Sequence, residues 1–566
     1  MKTAAFLELN SSYSHSMLSN LLLQARALVW RPQWRWTTVA GTGKTPSAEL
    51  CEALARQKPD LVLASGYIFN IGPLLEVLTA FARRHPAVPL VLGGPNFLGD
   101  NAAFLRRWPM IRLVVRGDEA ALLPVLDWAA GEGRLDEVPG GCYLDGDGNY
   151  IDRGTAELPG SLDEIPSPYQ LGLVPPDKVF YQLETARGCG SNCTFCTSAR
   201  ETTRRVRFYS LERVRADLTA LRERTAIREI RLLDRTFNQP SERAAALLQM
   251  FRAEFADFRF HLEIDPGRLT PEVLWELAAA PPGQLHVEAG IQSLTPAVLQ
   301  AVRRSATAER MFAGLERLIA CGNFAVHADL LAGLPQQDAA GLRQDLQRLI
   351  AVGPAEIQLE SLKILPGSAL GRRCPDGMRF DRQPPWSVTE TPWLSAADLR
   401  DMQLLSRLID GFYNRRELRN LVRGWQRLHR QSLERFFAWL LPHYRNYTAG
   451  QLPLERRLAL LLEFPGLPEE IGALTRLTAL LSNQVLPDLP APEKTPPEYE
   501  NWPLLHRLPQ RGRQPARIVR IFRLECCCNA LPLWLDGSAR LEHGRFRYAV
   551  GCAYGRVAAE VRGITG

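Results

Sequence analysis

The chain has 566 residues, 46% of them hydrophobic and 23% charged, with a formal net charge of +7 from 68 basic and 61 acidic side chains. These proportions exclude bulk disorder, and the longest apolar runs are too short to span a bilayer. A chain of this length predicts about three or four domains. Glu8 stands where a secretory leader needs its apolar stretch, so a cytoplasmic, reducing location is expected.

Residues 1–140 read as alternating strands and helices. Apolar strands are expected over 60–66, 88–94 and 111–117. A helix is expected over 71–84, with Leu74, Leu75, Leu78 and Phe81 on one face. Another opens at Asp118 or Glu119 and runs to Trp128. Continuous apolar strands alternating with helices imply a doubly wound, Rossmann-like α/β domain with a parallel sheet. Such sheets bind ligands at the carboxyl ends of their strands. Those ends read Ser65-Gly66-Tyr67, Gly93-Gly94-Pro95-Asn96 and Gly117-Asp118-Glu119. Glycine there lets a large planar ligand approach the backbone. Residues 141–177 read as a connector, with a hairpin turn at Asp145-Gly146-Asp147-Gly148 and then Pro166, Pro168, Pro175 and Pro176.

Three cysteines follow, spaced Cys189-x-x-x-Cys193-x-x-Cys196, on a loop leaving an expected strand. Three thiolates on one short loop can hold three corners of a cubane cluster and leave one iron open for substrate. A structural zinc wants four closed ligands, usually as two spaced pairs, and no fourth Cys or His lies nearby. From 178 to 383 strand–helix alternation continues for six units, with helix starts at Thr270-Pro271 and Thr295-Pro296. Polar residues stand on its apolar strands and at their ends: Asp234, Glu263, Glu288, Gln292, Ser293 and Asp329.

Residues 384–566 change character. Amphipathic helices are marked by Leu404, Leu408, Ile409 and Phe412, then by Leu433, Phe436, Phe437 and Leu440. Trp386 and Trp393 are expected to pack this part onto the edge of the preceding domain. The arginines from 415 to 430 read as a solvated helix face, without the interleaved aromatics of a nucleic-acid surface. A proline-rich connector is expected from 487 to 515, and short strands after 518. Cys526, Cys527 and Cys528 alternate faces on a strand, so one metal site for all three is not expected. Cys552 could join Cys526 and Cys528 on one face.

The cysteine spacing, with Phe195 before the last cysteine, resembles the signature of the radical S-adenosylmethionine (SAM) superfamily. The strand ends of residues 1–140 resemble the cobalamin-binding domain found ahead of many radical SAM domains. The Asp-x-His-x-x-Gly motif that supplies a cobalt-ligating histidine in other cobalamin enzymes is absent, and His15 does not fit it. The last third resembles the extension of a cobalamin-binding subgroup whose reactions are mostly unassigned.

The resemblance implies a partial (β/α)6 radical SAM barrel over 178–383, between a cobalamin-binding domain and a mostly helical C-terminal extension. It places a [4Fe–4S] cluster on Cys189, Cys193 and Cys196. It places cobalamin against Ser65, Gly66, Tyr67, Gly93, Gly94, Pro95, Asn96, Gly117, Asp118 and Glu119. SAM would meet Phe195, Asp234, Thr236, Glu288 and Gln292. The implied chemistry is reductive cleavage of SAM to a 5′-deoxyadenosyl radical, hydrogen abstraction from an unactivated carbon, and methyl delivery from cobalamin. It implies a small-molecule or peptide substrate and an electron donor such as flavodoxin or ferredoxin, with no membrane and no nucleic acid. Two other readings stay open: an oxidation or ring closure, as in the anaerobic magnesium-protoporphyrin monomethyl ester cyclase, and a non-catalytic corrinoid or iron–sulfur sensor.

Overall fold

The computed structural model describes residues 1–157, 160–199, 205–445 and 452–482, then 484, 486, 489, 493–494, 518–537, 539–553 and 561–564. Two compact units are present. One comprises residues 1–326, 333–338 and 361–396; the other comprises 327–332, 339–360 and 397–566.

The first unit begins with strand–helix alternation: β1 (Lys2–Asn10), α1 (Leu18–Trp30), β2 (Trp34–Thr42), α2 (Ser47–Arg56), β3 (Leu61–Ser65), α3 (Ile71–Arg84), β4 (Leu90–Gly93), α4 (Ala102–Arg107), β5 (Ile111–Val115) and α5 (Leu122–Ala130). The hairpin β6 (Gly141–Leu144) and β7 (Tyr150–Asp152) follows. The sheet order is β2-β1-β3-β4-β5-β6-β7. Strands β1 to β5 pair in parallel, whereas β6 and β7 add antiparallel. The sheet is thus mixed and continues past residue 140. The expected turn is there: the Asp145 carboxylate accepts the Asp147 and Asn149 amides at 3.0 and 2.8 Å. That closes the two strands into a ribbon able to extend the sheet edge. All five residues of β3 are buried, as a strand covered on both faces requires. Helix α3 presents Leu74, Leu78 and Phe81, each 0% exposed, to this core. Burying a side chain of that size contributes roughly 1.5–3 kcal/mol.

The alternation then resumes: β8 (Tyr181–Leu183), the ribbon β9 (Ala186–Arg187) and β10 (Arg207–Phe208), α6 (Leu211–Arg224), β11 (Glu229–Leu232), α7 (Ser241–Glu254), β12 (Arg259–Ile264), α8 (Pro271–Ala279), β13 (Leu285–Gln292), α9 (Pro296–Ala301), α10 (Ala308–Cys321), β14 (Ala325–Ala332), α11 (Ala339–Val352) and β15 (Glu356–Ser361). The sheet order is β15-β14-β13-β12-β11-β8. Six strands are present as expected, and the sheet is open rather than a closed barrel. Thr270 caps α8, its hydroxyl accepting the Val273 amide at 3.4 Å, with Pro271 at the first helical position.

Trp386 packs against the core of the first sheet, not against the edge expected for it. The physical reason is local: the preceding 361–385 stretch also belongs to the first unit.

The second unit is mostly helical, as expected. Its helices span Ala396–Leu408, Arg416–Leu428, Arg430–Arg445, Leu454–Glu463 and Glu469–Leu481. Fully buried Trp425 stacks on Phe436 at 4.8 Å in its core. The arginine face is split, which corrects the solvated reading. Arg415, Arg416, Arg427 and Arg430 are exposed, but Arg419 and Arg423 are half-buried. The Arg423 guanidinium lies against the backbone neighbourhood of Gly353, and burial lowers the Arg419 pKa. Antiparallel strands Ile518–Cys528, His543–Ala553 and Val561–Ile564 close the chain. Burial pushes the Cys526 and Cys528 thiols up to about 12, which leaves them neutral at ordinary pH. The Cys552 side chain, and most of the connector expected from 487 to 515, lie outside the described residues. Among the described residues, no helix is long and apolar enough to cross a membrane.

Candidate cofactor sites

The cysteine loop leaves the β9 strand directly after Arg187. It is pinned at its middle from two sides: the Thr194 amide donates to the Val302 carbonyl at 3.1 Å, and the Leu370 amide donates to the Thr194 carbonyl at 2.8 Å. Cys189 and Cys193 are buried and Cys196 is half-buried; all three are free thiols. The Ser191 amide points at the Cys189 sulfur and the Ser198 amide at the Cys196 sulfur, each at 3.4 Å. Arg304 Nη1 donates to the Cys193 sulfur at 3.7 Å. Burial raises the Cys196 pKa, opposed by the Ser198 amide and by the charge of Arg235.

Backbone N–H groups and guanidinium charge aimed at sulfur suit thiolate ligands of an iron–sulfur cluster, whose charge they offset. The donor set therefore fits such a cluster. Among the described residues, no three His, Cys, Asp or Glu side chains converge on a point that could hold a single metal ion.

A cavity of about 410 Å³ opens beside Cys189 and is lined by Gly188, Gly190, Arg235, Thr236 and Gln239. The Thr236 hydroxyl lies 3.5 Å from the Cys189 sulfur. Of the residues carried over for SAM, Thr236 alone lines this cavity. Asp234, the residue before Arg235, is 2% exposed. Its carboxylate accepts the Thr185 amide at 2.7 Å, the Ala186 amide at 3.0 Å and the Thr185 hydroxyl. It braces the exit of β8 into the cysteine loop. Phe195 is half-buried on the loop itself. Gln292 ends β13 with φ +67°, a conformation that costs a non-glycine residue of order 1–3 kcal/mol and clusters at functional positions.

Glu288 takes part in a hydrogen-bonded chain. The His261 and His286 Nδ1 atoms are 2.7 Å apart, and His261 Nε2 is 3.1 Å from a Glu288 oxygen. These side chains occupy the half-buried face of β12 and β13, alternating with fully buried residues on the other face. The two histidines escaped the sequence reading, although the alternation His-x-Glu on both strands carried the signal. Arg304 had no such signal: it reaches Cys193 from 111 residues away.

The carboxyl ends of β3, β4 and β5 meet around a cavity of about 290 Å³. Its floor is apolar, with Phe6, Leu63, Leu122 and Val125. Its rim carries Ser65, Tyr67, Gly93, Gly94, Pro95 and Gly117, together with Asp118 and Glu119. Gly66 and Asn96 are not among the lining residues, but they build the rim. The Gly66 amide donates to the Gly93 carbonyl at 2.8 Å, and the Asn96 amide donates to the Gly66 carbonyl at 3.1 Å. Buried Asn70 locks the β3 loop, accepting the Tyr67 amide at 2.7 Å and donating to the Leu9 and Ser65 carbonyls. An apolar floor with a hydrogen-bonding rim at strand ends is the lining that a bulky, partly apolar cofactor requires. The residues present fit cobalamin on that ground.

The glycines have a further reason to be there. Gly94 has φ +98°, and a Cβ on it would stand 2.8 Å from the Gly66 carbonyl oxygen. Gly94→Ala is expected to lower stability by about 1–3 kcal/mol and to weaken hydroxocobalamin uptake, measured by chemical unfolding and by absorbance titration. Unchanged values in both would show that the two loops do not need this close approach.

The open strand–helix sheet and the three-thiol loop define the class. Residues 183–349 match the model of the Radical SAM superfamily. The chain's sequence is similar to those of two methyltransferases. It is 29% identical over 300 residues to an uncharacterized methyltransferase of Pyrococcus horikoshii, covering 51% of this chain and 64% of that one. It is 24% identical over 349 residues to the cobalamin-dependent radical SAM methyltransferase TokK of Streptomyces tokunonensis, covering 57% of this chain and 50% of that one. The matches thus span about half to two thirds of those relatives' length. The fold is similar to that of the cobalamin-dependent SAM radical enzyme OxsB with aqua-cobalamin and SAM bound, with a TM-score of 0.58 and 15% identity, covering 86% of this chain and 76% of that one.

Proposed function

We propose that the protein is a cobalamin-dependent radical SAM methyltransferase acting on an unactivated carbon of a small molecule or peptide. The observation that carries this reading is the thiol loop with its amide and guanidinium donors, in the same compact unit as the glycine-rimmed cavity. When bound, the cluster supplies the electron that splits SAM, and cobalamin supplies methyl-transfer chemistry.

This chain's residues then do the holding. Cys189, Cys193 and Cys196 would hold the cluster. Ser191, Ser198 and Arg304 balance the charge on the sulfurs. Thr236 would orient SAM in the cavity beside Cys189, and Asp234 fixes the strand exit. Ser65 to Tyr67, Gly93 to Asn96 and Gly117 form the corrinoid cradle. An electron donor such as flavodoxin or ferredoxin would serve the cluster, in a cytoplasmic setting. The two relatives are both methyltransferases, which favours methyl transfer over oxidation or ring closure.

The test is an anaerobic incubation of the reconstituted protein with SAM and a strong reductant, with and without hydroxocobalamin. The methyltransferase reading expects 5′-deoxyadenosine together with S-adenosylhomocysteine that forms only when hydroxocobalamin is present. Formation of 5′-deoxyadenosine alone in both samples would favour the oxidation or ring-closure chemistry. Intact SAM in both would favour the sensor.

A further inference from the structure

The ribbon that frames the cysteine loop sets two arginines against each other. Arg187 on β9 and Arg207 on β10 are direct cross-strand partners. Like charges directly opposite each other destabilise a two-stranded pair. They are neutralised from the first domain, by two consecutive acids in the turn after β5. Arg187 Nη1 lies 2.7 Å from Glu119 Oε2, with side chains 17% and 9% exposed. Arg207 Nη2 lies 2.8 Å from Asp118 Oδ2, with side chains 12% and 7% exposed. Arg187 also meets Glu184 at 2.6 Å.

The same turn is part of the cavity rim: Gly117, Asp118 and Glu119 all line it. It is a stiff turn. Gly117 has φ +118°, and a Cβ there would stand 2.0 Å from the Ala156 carbonyl oxygen. The Asp118 amide donates to that same carbonyl at 3.1 Å, and Asp118 Oδ1 accepts the Ala120 amide. A displacement of the rim therefore moves both acids together. At the other end, Arg187 lies two residues before Cys189.

We propose that the Asp118–Arg207 and Glu119–Arg187 pairs couple the corrinoid cavity to the cysteine loop, so that each cofactor stabilises the binding of the other. The four are positioning residues. Asp118 and Glu119 line the rim, and their carboxylates pair with the ribbon. A ligand resting on the turn selects the turn geometry in which both arginines are neutralised, and that geometry holds the mouth of the loop. Coupling between two sites is reciprocal, typically about 5–150-fold in affinity. This inference rests on the cofactor reading given above.

The experiment follows the rate at which the reconstituted protein loses its cluster absorbance in excess iron chelator, without oxygen, with and without hydroxocobalamin. Wild type is expected to lose the cluster about 5-fold or more slowly when hydroxocobalamin is bound. The double variant Arg187→Gln with Arg207→Gln, which leaves every residue of the cavity rim in place, is expected to bind hydroxocobalamin, followed by absorbance, yet to lose its cluster at nearly the same rate with and without it. The charge-conserving pair Arg187→Lys with Arg207→Lys should recover part of the slowing. If the double variant does not fold, Arg207→Gln, which keeps the Glu119–Arg187 pair, should at least halve the effect. Full slowing in the neutralised variants overturns the coupling. So does a wild type that binds hydroxocobalamin without any slowing. A wild type that takes up no hydroxocobalamin overturns the cavity reading, and the coupling with it.

Discussion

Replacing Cys189, Cys193 and Cys196 together by Ala is expected to abolish the brown chromophore of the reconstituted protein and all reductive cleavage of SAM. The loop is held by backbone bonds to Val302 and Leu370, which the substitutions leave in place. The fold should survive with a far-ultraviolet spectrum like that of wild type, and only ligation is lost. Iron and sulfide are measured on the desalted protein, and 5′-deoxyadenosine after addition of reductant and SAM. Iron and sulfide near wild-type levels in the triple variant would place the cluster elsewhere in the chain. Hydroxocobalamin uptake should persist but weaken if the two sites are coupled.

Asp234→Ala is expected to lower stability by about 3 kcal/mol or more and to reduce the yield of cluster reconstitution. The carboxylate is buried and accepts three hydrogen bonds from Thr185 and Ala186. Its removal strands buried donors at roughly 1–3 kcal/mol each. Asp234→Asn keeps an acceptor for both amides and should cost much less.

The two variants also separate in pH. Burial pushes the Asp234 carboxyl up to about 6, from 3.8, against the opposing pull of the Thr185 and Ala186 bonds. A folded-state pKa above the unfolded value contributes stability that is fully present below the unfolded value. That contribution is lost as pH rises through the folded one. Wild type should therefore lose stability relative to D234N by up to roughly 3 kcal/mol as pH rises from about 4 to about 6. Chemical unfolding of both proteins across that window checks it. Parallel pH curves would show that the carboxyl is not desolvated as the structure has it.

The cysteine loop is legible in the sequence because its chemistry needs thiols at fixed short spacing, and no tertiary information enters. The strand ends of the first domain are legible for a similar reason: β3, β4 and β5 are continuous apolar runs, each ending in glycine. What escaped is whatever distant segments supply. Arg304 and Arg235 look like ordinary surface arginines until the fold brings them beside sulfur. Asn70 is unremarkable in sequence yet ties Ser65 and Tyr67 of the β3 loop to each other and to Leu9 of β1. Asp118 and Glu119 read as rim residues. Their partners, Arg187 and Arg207, lie 68 and 89 residues further on, and only the folded chain pairs them. The hairpin of β6 and β7 reads as a connector because it is short and punctuated by glycine, and its pairing with β5 supplies the missing information. Arg419 and Arg423 look solvated because helical spacing reports a face, not what the face meets.

The most direct test of the cluster-and-SAM claim is the low-temperature electron paramagnetic resonance spectrum of the anaerobically reconstituted, reduced protein, recorded before and after SAM is added. A cluster held by Cys189, Cys193 and Cys196 with one iron left open should give a [4Fe–4S]⁺ signal whose shape changes when SAM binds that iron. A cluster signal indifferent to SAM, or none from a protein that retains its iron and sulfide, would contradict it.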